Sequence, residues 1–118
     1  MKHPEFNKLL KEIIERTTGV LSAKSDEYST ESDKLHNFKR AGAMLNCSPE
    51  KALVGMWTKH IISILDIVDE TEYKCGTEVD CFPGFDPEKY IDRLEEKIGD
   101  AINYLILLEA LIKERYNK

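Results

Sequence analysis

No stretch of this chain is apolar for long enough to span a bilayer, and Met1-Lys2-His3-Pro4-Glu5 lacks the pattern of a signal peptide. A cytoplasmic protein with no membrane partner is therefore expected. Cysteine is scarce: Cys47, Cys75 and Cys81 lack zinc-ligand spacing, and their odd number suits a reducing compartment. A Cys75–Cys81 disulfide across the Gly76 loop is compatible with the sequence, but a reducing compartment argues against it. Glycine is scarce too, and no Gly-rich phosphate loop occurs. There is no basic patch. The formal net charge is −5, with Lys and Arg scattered among Asp and Glu, which argues against a nucleic-acid backbone as the main partner. A phosphorylated small molecule held through a divalent metal is not excluded by that charge. Finally, no β-branched alternating segment appears anywhere, so sheets are not expected.

What is present is helical periodicity. The chain is 42% apolar and 33% charged over 118 residues, which suits one folded domain, 1–118. The fourth helix, Pro87 to Arg115, organises the rest. Ile91, Leu94, Ile98, Ala101, Ile102, Leu105 and Ile112 share one face, with Glu96, Asp100 and Asn103 roughly opposite. That second face also carries Leu107 and Leu111, with Tyr104 at its edge, so it too should be covered. Carboxylates near apolar neighbours are costly unless paired or bound to a cation.

Three further helices are expected. The first runs from Pro4 to about Gly19 or Ala23, on Phe6, Leu9, Leu10, Ile13 and Ile14, extending to Thr17, Val20 and Leu21. Lys24 to Asp33 reads as a polar loop with Tyr28 as a single anchoring ring. A short helix from Asp33 to Leu45, capped by Ser32 or Asp33, has Leu35, Phe38, Ala41, Gly42 and Leu45 inside. The third runs from Pro49 to Glu70 behind a Ser48 cap, with Leu53, Met56, Trp57, His60, Ile64 and Ile67 on one face. Thr71 to Asp86 reads as a long loop, and Asp86-Pro87-Glu88 starts the last helix. The fold expected is an all-α bundle of three long helices and one short helix. Two long partners and a short one cannot cover a fourth helix that is apolar on two sides. Leu107, Leu108, Leu111 and Ile112 thus predict a subunit interface, most simply a two-fold dimer, or a dimer of dimers.

Carboxylates three or four residues apart project from one side of a helix. Asp66 and Asp69 on the third helix, with Glu70 nearby, and Glu96 and Asp100 on the fourth are candidate ligands for Mg²⁺ or Mn²⁺, which prefer oxygen. Such an ion bridges polyphosphate oxygens and activates water. The plain alternative for each pair is a solvated helix face. Cys47 has no motif-placed histidine partner. His60 lies on an apolar face, where a packed histidine is the ordinary reading, and His36 stands beside Asn37 and Phe38.

Several segments recur together in a known family. Lys24-Ser25-Asp26-Glu27-Tyr28 fits K-x-x-[DE]-Y, Asp33 to Phe38 fits D-x-x-x-N-F, and Glu96 to Tyr104 fits an acidic-x-x-x-D-x-x-N-Y helix. Ser48-Pro49-Glu50-Lys51-Ala52 and Lys59-His60 fall between them. Over Lys24 to Leu108 the chain resembles small phage and prophage proteins described as nucleotide-modification-associated. These are similar to the MazG-like all-α nucleotide pyrophosphohydrolases. The resemblance implies an oligomeric, Mg²⁺-binding bundle that cleaves a nucleoside triphosphate, or a modified nucleotide, to monophosphate and pyrophosphate. It implies catalytic and metal roles for Glu96 and Asp100, with Asp66 and Asp69 completing the metal set. Lys24, Glu27, Tyr28, Asn37, Lys59, Asn103 and Tyr104 would meet the nucleotide. The MazG-like pattern is E-x-x-E on one helix and E-x-x-D on a later one. Here aspartates fill the first pair and the second carries one extra residue. That departure leaves room for a non-catalytic phage-derived protein that binds a nucleotide or a host protein.

Overall fold

A computed structural model describes residues 1–28, 33–75 and 84–118, with side chains described for 1–22, 33–70 and 84–118. Four helices follow one another: α1 (His3–Tyr28), α2 (His36–Leu45), α3 (Pro49–Cys75) and α4 (Pro87–Arg115). The architecture is all-α, with no strand among the described residues. No helix among the described residues is long and apolar enough to cross a membrane.

The starts of α3 and α4 obey local chemistry. Ser48 Oγ accepts from the Lys51 amide at 3.1 Å, and Pro49 occupies the first turn. Asp86 accepts from the amides of Glu88 and Lys89, at 3.0 and 3.5 Å, ahead of Pro87. Three boundaries differ from expectation. Helix α1 runs through Tyr28, so 24–28 is helical rather than loop. Ala23, Lys24 and Glu27 are good helix formers, and no Pro or Gly follows Gly19 to stop them. Helix α3 likewise passes Glu70 and ends at Cys75, just before Gly76. Helix α2 starts at His36, not Asp33. The Asp33 carboxylate accepts from the Leu35 amide at 2.9 Å, closing a turn ahead of the helix rather than capping it. The Cys75–Cys81 pairing and the Ser32 cap lie outside the described residues.

The core is Leu35, Leu53 and Leu111, with Phe38, Tyr104, Leu107, Leu108 and Ala110 packed around it. For Leu111 this corrects the expected place at a subunit interface. Leu111 is buried within one chain, and Leu107 and Leu108 pack beside it, because α2 and α3 both reach that side of α4. Of the four residues expected at a subunit interface, Ile112 is the exposed one. The face of α4 that looked most apolar is only partly covered: Ala101 is buried and Leu94 and Ile102 are half-buried, while Ile91, Ile98 and Leu105 are exposed. Leu45, expected inside α2, is exposed as well, since Asn46 turns left-handed directly after it.

The α2–α3 turn is tight. A Cβ on Gly42 would stand 2.8 Å from the Cys47 carbonyl oxygen and 2.9 Å from the Pro49 nitrogen. Both are backbone atoms, which cannot swing aside. Gly42→Ala is therefore expected to destabilise the protein by about 1–3 kcal/mol despite alanine's better helix propensity. Urea denaturation of the two proteins measures it.

Ion pairs tie the ends of the bundle. Arg115 donates to both oxygens of Glu50, at 2.8 and 2.6 Å. Lys39 donates to Asp33 at 2.7 Å and also to Glu114. The hydrogen bond from Lys39, then that from the Leu35 amide, hold the Asp33 carboxyl below its usual 3.8. The Arg115 hydrogen bond likewise holds Glu50 below its usual 4.5. A carboxyl whose pKa is lowered by folding stabilises the fold above its unfolded value. It loses that contribution as pH falls through the folded value. Stability is thus expected to fall as the pH is lowered below about 4.5, with a shallower fall in Glu50→Gln. Thermal melts across an acid pH series would read both slopes.

Candidate functional site

Helix α4 has α1 on one side and α2 and α3 on another. Between α1 and α4 lies a cavity of about 370 Å³ lined by Arg16, Thr17 and Val20 from α1 and by Asp92, Glu95, Glu96, Gly99, Asp100 and Asn103 from α4. The spacing explains the α4 set. Residues 92, 96, 99, 100 and 103 recur at three and four, so one side of the helix presents them together.

The floor is built from two buried polar side chains. Asn103 is 6% exposed and donates its amide Nδ2 to the Thr17 carbonyl oxygen at 3.1 Å, tying α1 to α4. Among the described residues its own Oδ1 has no hydrogen-bond partner, and neither has Oγ1 of Thr17, which is 3% exposed. Two buried oxygens with unused hydrogen-bonding capacity beside an acidic cavity are costly in isolation and suit a cation, a bound water or a polar ligand. At the rim, Arg16 Nη1 stands 3.4 Å from Glu95 Oε1, a half-exposed pair. Asp100 is held between the two sides of α4. It lines the cavity, and its Oδ2 is 4.0 Å from Nδ1 of His60 on α3. The His60 ring rests on Tyr104 with centroids 4.9 Å apart, and Tyr104 meets Phe38 edge-on at 5.9 Å. His60 is thus a packed histidine behind a cavity carboxylate.

The expected site residues divide accordingly. Glu96, Asp100 and Asn103 come together on the cavity. Tyr104 sits behind them, on the aromatic stack. Asp66, Asp69 and Lys59 are exposed on α3, and Asn37 is exposed in the first turn of α2; none of the four lines the cavity. Among the described residues no three of His, Cys, Asp and Glu are grouped so as to hold one ion. The side chains of Lys24, Glu27 and Tyr28 lie outside the described residues. Sequence reasoning missed Arg16, Asp92 and Glu95 and placed Thr17, with Val20, on an apolar stripe. A lone hydroxyl at the centre of that stripe was the available signal.

The chemistry of the donor set fits Mg²⁺ or Mn²⁺ in part. Mg²⁺ binds through one or two carboxylates and fills its remaining positions with water and substrate phosphates. Glu96 and Asp100 supply that number, and the Asn103 amide oxygen is a further neutral donor. A four-carboxylate cage including Asp66 and Asp69 is not assembled in one chain.

Gly99 is buried on the side of α4 that faces Thr17 of α1. A Cβ there would meet Thr17 Oγ1 at 3.7 Å, an ordinary contact. Gly99→Ala is expected to stabilise the helix by about 0.5–1 kcal/mol through propensity. It should also narrow the cavity and weaken any ligand held there. Denaturant midpoint and ligand titration together check both halves.

Comparisons with protein-family models, with curated proteins and with solved structures found no match to this chain.

Proposed function

We propose that the protein is a Mg²⁺-dependent nucleoside triphosphate pyrophosphohydrolase of phage or bacterial nucleotide metabolism, acting in the cytoplasm. One observation carries this reading. Glu96 and Asp100 face one cavity whose floor holds the buried, unpartnered Asn103 Oδ1. In the proposed roles Glu96 and Asp100 hold the metal, with one carboxylate orienting the attacking water. Asn103 accepts a hydrogen bond from a water or from the nucleotide. Arg16, paired with Glu95, is the cation at hand for phosphate oxygens. When bound, Mg²⁺ supplies charge neutralisation for the phosphates and lowers the pKa of a water. Water would add to the α-phosphorus, its proton passing to the orienting carboxylate, while the bond from that phosphorus to the α–β bridging oxygen breaks, so that pyrophosphate leaves from the opposite side and a nucleoside monophosphate remains. The nucleotide's base is not specified by any residue lining this cavity.

A second reading is a non-catalytic protein that binds a nucleotide or a host protein. The exposure of Asp66 and Asp69, away from the cavity, favours it. The two are separated by incubating the protein with a panel of nucleoside triphosphates and Mg²⁺ or Mn²⁺. The enzyme reading expects pyrophosphate release from at least one of them. Binding without release supports the second reading, and neither binding nor release removes both nucleotide readings.

A further inference from the structure

The described helices hold threonine side chains at Thr17, Thr18 and Thr58. Thr18 Oγ1 donates to the Ile14 carbonyl at 2.7 Å, and Thr58 Oγ1 donates to the Val54 carbonyl at 2.8 Å. That bond to the carbonyl four residues back is a common resting place for a hydroxyl inside a helix. Thr17 does not make it. Among the described residues its Oγ1 has no partner, although the residue is only 3% exposed. The hydroxyl lies instead against α4, where a Cβ on Gly99 would stand 3.7 Å from it. Asn103 is its neighbour: Nδ2 donates to the Thr17 carbonyl at 3.1 Å, and Oδ1 is likewise without a partner among the described residues. Glu96 and Asp100 line the same cavity.

The hydrogen-bonding needs of this floor narrow its guest. Asn103 Oδ1 and the ionised carboxylates only accept, so they call for a donor. Phosphate oxygens are acceptors too, and belong at the rim beside Arg16. The Thr17 hydroxyl has a hydrogen to give, so it calls for an acceptor. An ammonium group donates and does not accept; water does both. We infer that Thr17 and Asn103 position the attacking water of the reaction proposed above, an inference that rests on that reading. Asn103 Oδ1 accepts one hydrogen of the water, and the carboxylate of Glu96 or Asp100 accepts the other. The Thr17 hydroxyl donates to one lone pair, which leaves the second lone pair free to attack. As the water oxygen bonds to the α-phosphorus, the second hydrogen passes to the carboxylate. The electron pair of the breaking bond to the bridging oxygen departs with pyrophosphate. Thr17 lies before Lys24, outside the stretch over which the family resemblance runs, so no motif of that family assigns it a role.

Thr17→Val exchanges the hydroxyl for a methyl of similar size and keeps the branching at Cβ. Its kcat, measured on the nucleoside triphosphate panel with Mg²⁺ or Mn²⁺, should fall about 10²-fold, the scale on which misplacing a reacting group acts. KM should stay near the wild-type value, because no contact to the nucleotide is lost. Thr17→Ser should recover most of the lost kcat. Without ligand, the melting temperature of Thr17→Val should be no lower than that of wild type, since the group removed is a buried hydroxyl with no partner. The shift that a non-hydrolysable nucleoside triphosphate and Mg²⁺ produce in it should persist. A Thr17→Val protein that keeps its kcat overturns the inference and leaves the proposed function standing. So does a loss that serine does not recover, or one that appears in KM instead of kcat. A wild type that turns over no nucleotide removes the proposed function, and this inference with it. Should Thr17→Val fail to fold, Thr17→Ser and Thr17→Ala decide, since they differ by the hydroxyl alone. Turnover kept in serine and lost in alanine supports the inference, and equal turnover in the two overturns it.

Discussion

Asp100→Asn is expected to reduce pyrophosphate release by about 10²–10³-fold, the scale on which loss of one transition-state electrostatic contact acts, while the bundle stays folded. Asp100 is the carboxylate that both lines the α1–α4 cavity and approaches His60. Asparagine keeps its size and one acceptor oxygen but removes the charge that a Mg²⁺ ligand supplies. The thermal melt should move little, because the packing around Tyr104 and His60 remains. A parallel His60→Gln protein separates the two sides of Asp100. If its turnover falls as far as that of Asp100→Asn, then the α3 side matters as much as the cavity side. Steady-state assays with circular dichroism on the same preparations measure all of this.

Leu53→Ala is expected to cost about 2–5 kcal/mol, the usual range for a fully buried leucine. Leu53 is completely buried at the meeting point of α2, α3 and α4, against Leu35 and Leu111. Few other residues are buried in this small core, so there is little around the void to collapse into it. Mesophilic domains hold only about 5–15 kcal/mol in total. The variant should therefore unfold well below the wild type in both heat and urea. By contrast, Leu105→Ala on the exposed stripe should change monomer stability far less, because Leu105 is 48% exposed.

Helix α4 shows how far residue patterns reach. Its bounds follow from Asp86 as cap, Pro87 in the first turn and Lys113 and Arg115 in the last, all local signals. Which of its faces meets the core does not follow from them. Ile91, Ile98, Leu105 and Ile112 look as much like a core face as Tyr104, Leu107, Leu108 and Leu111 do. Yet the second set is the one that α2 and α3 cover. Both stripes are apolar, so periodicity ranks them almost equally, and chain connectivity decides. The ends of α1 and α3 were misjudged for a different reason. Their last turns, 24–28 and 71–75, are polar, and polar residues permit a helix without demanding one.

The cavity divides in the same way. Glu96, Asp100 and Asn103 share one side of a single helix, which spacing alone reveals. Their neighbours Arg16 and Thr17 come from a helix some eighty residues earlier, as the Asn103–Thr17 hydrogen bond shows, and no local pattern encodes that juxtaposition. Asp66 and Asp69 were drawn into the site by the same spacing rule, and on α3 that rule describes an exposed acidic surface.

Everything functional here rests on a divalent cation reaching the carboxylates beside Asn103. The decisive measurement is a Mn²⁺ and Mg²⁺ titration of the melting temperature, for wild type and Glu96→Gln, with a non-hydrolysable nucleoside triphosphate present. A ligand that binds the native state raises stability in proportion to the logarithm of its excess over Kd. Wild-type protein should therefore show a rising, metal-specific shift that Glu96→Gln loses. A melting temperature that ignores both metals and the nucleotide, or rises equally in Glu96→Gln, would contradict the cavity as a metal-nucleotide site.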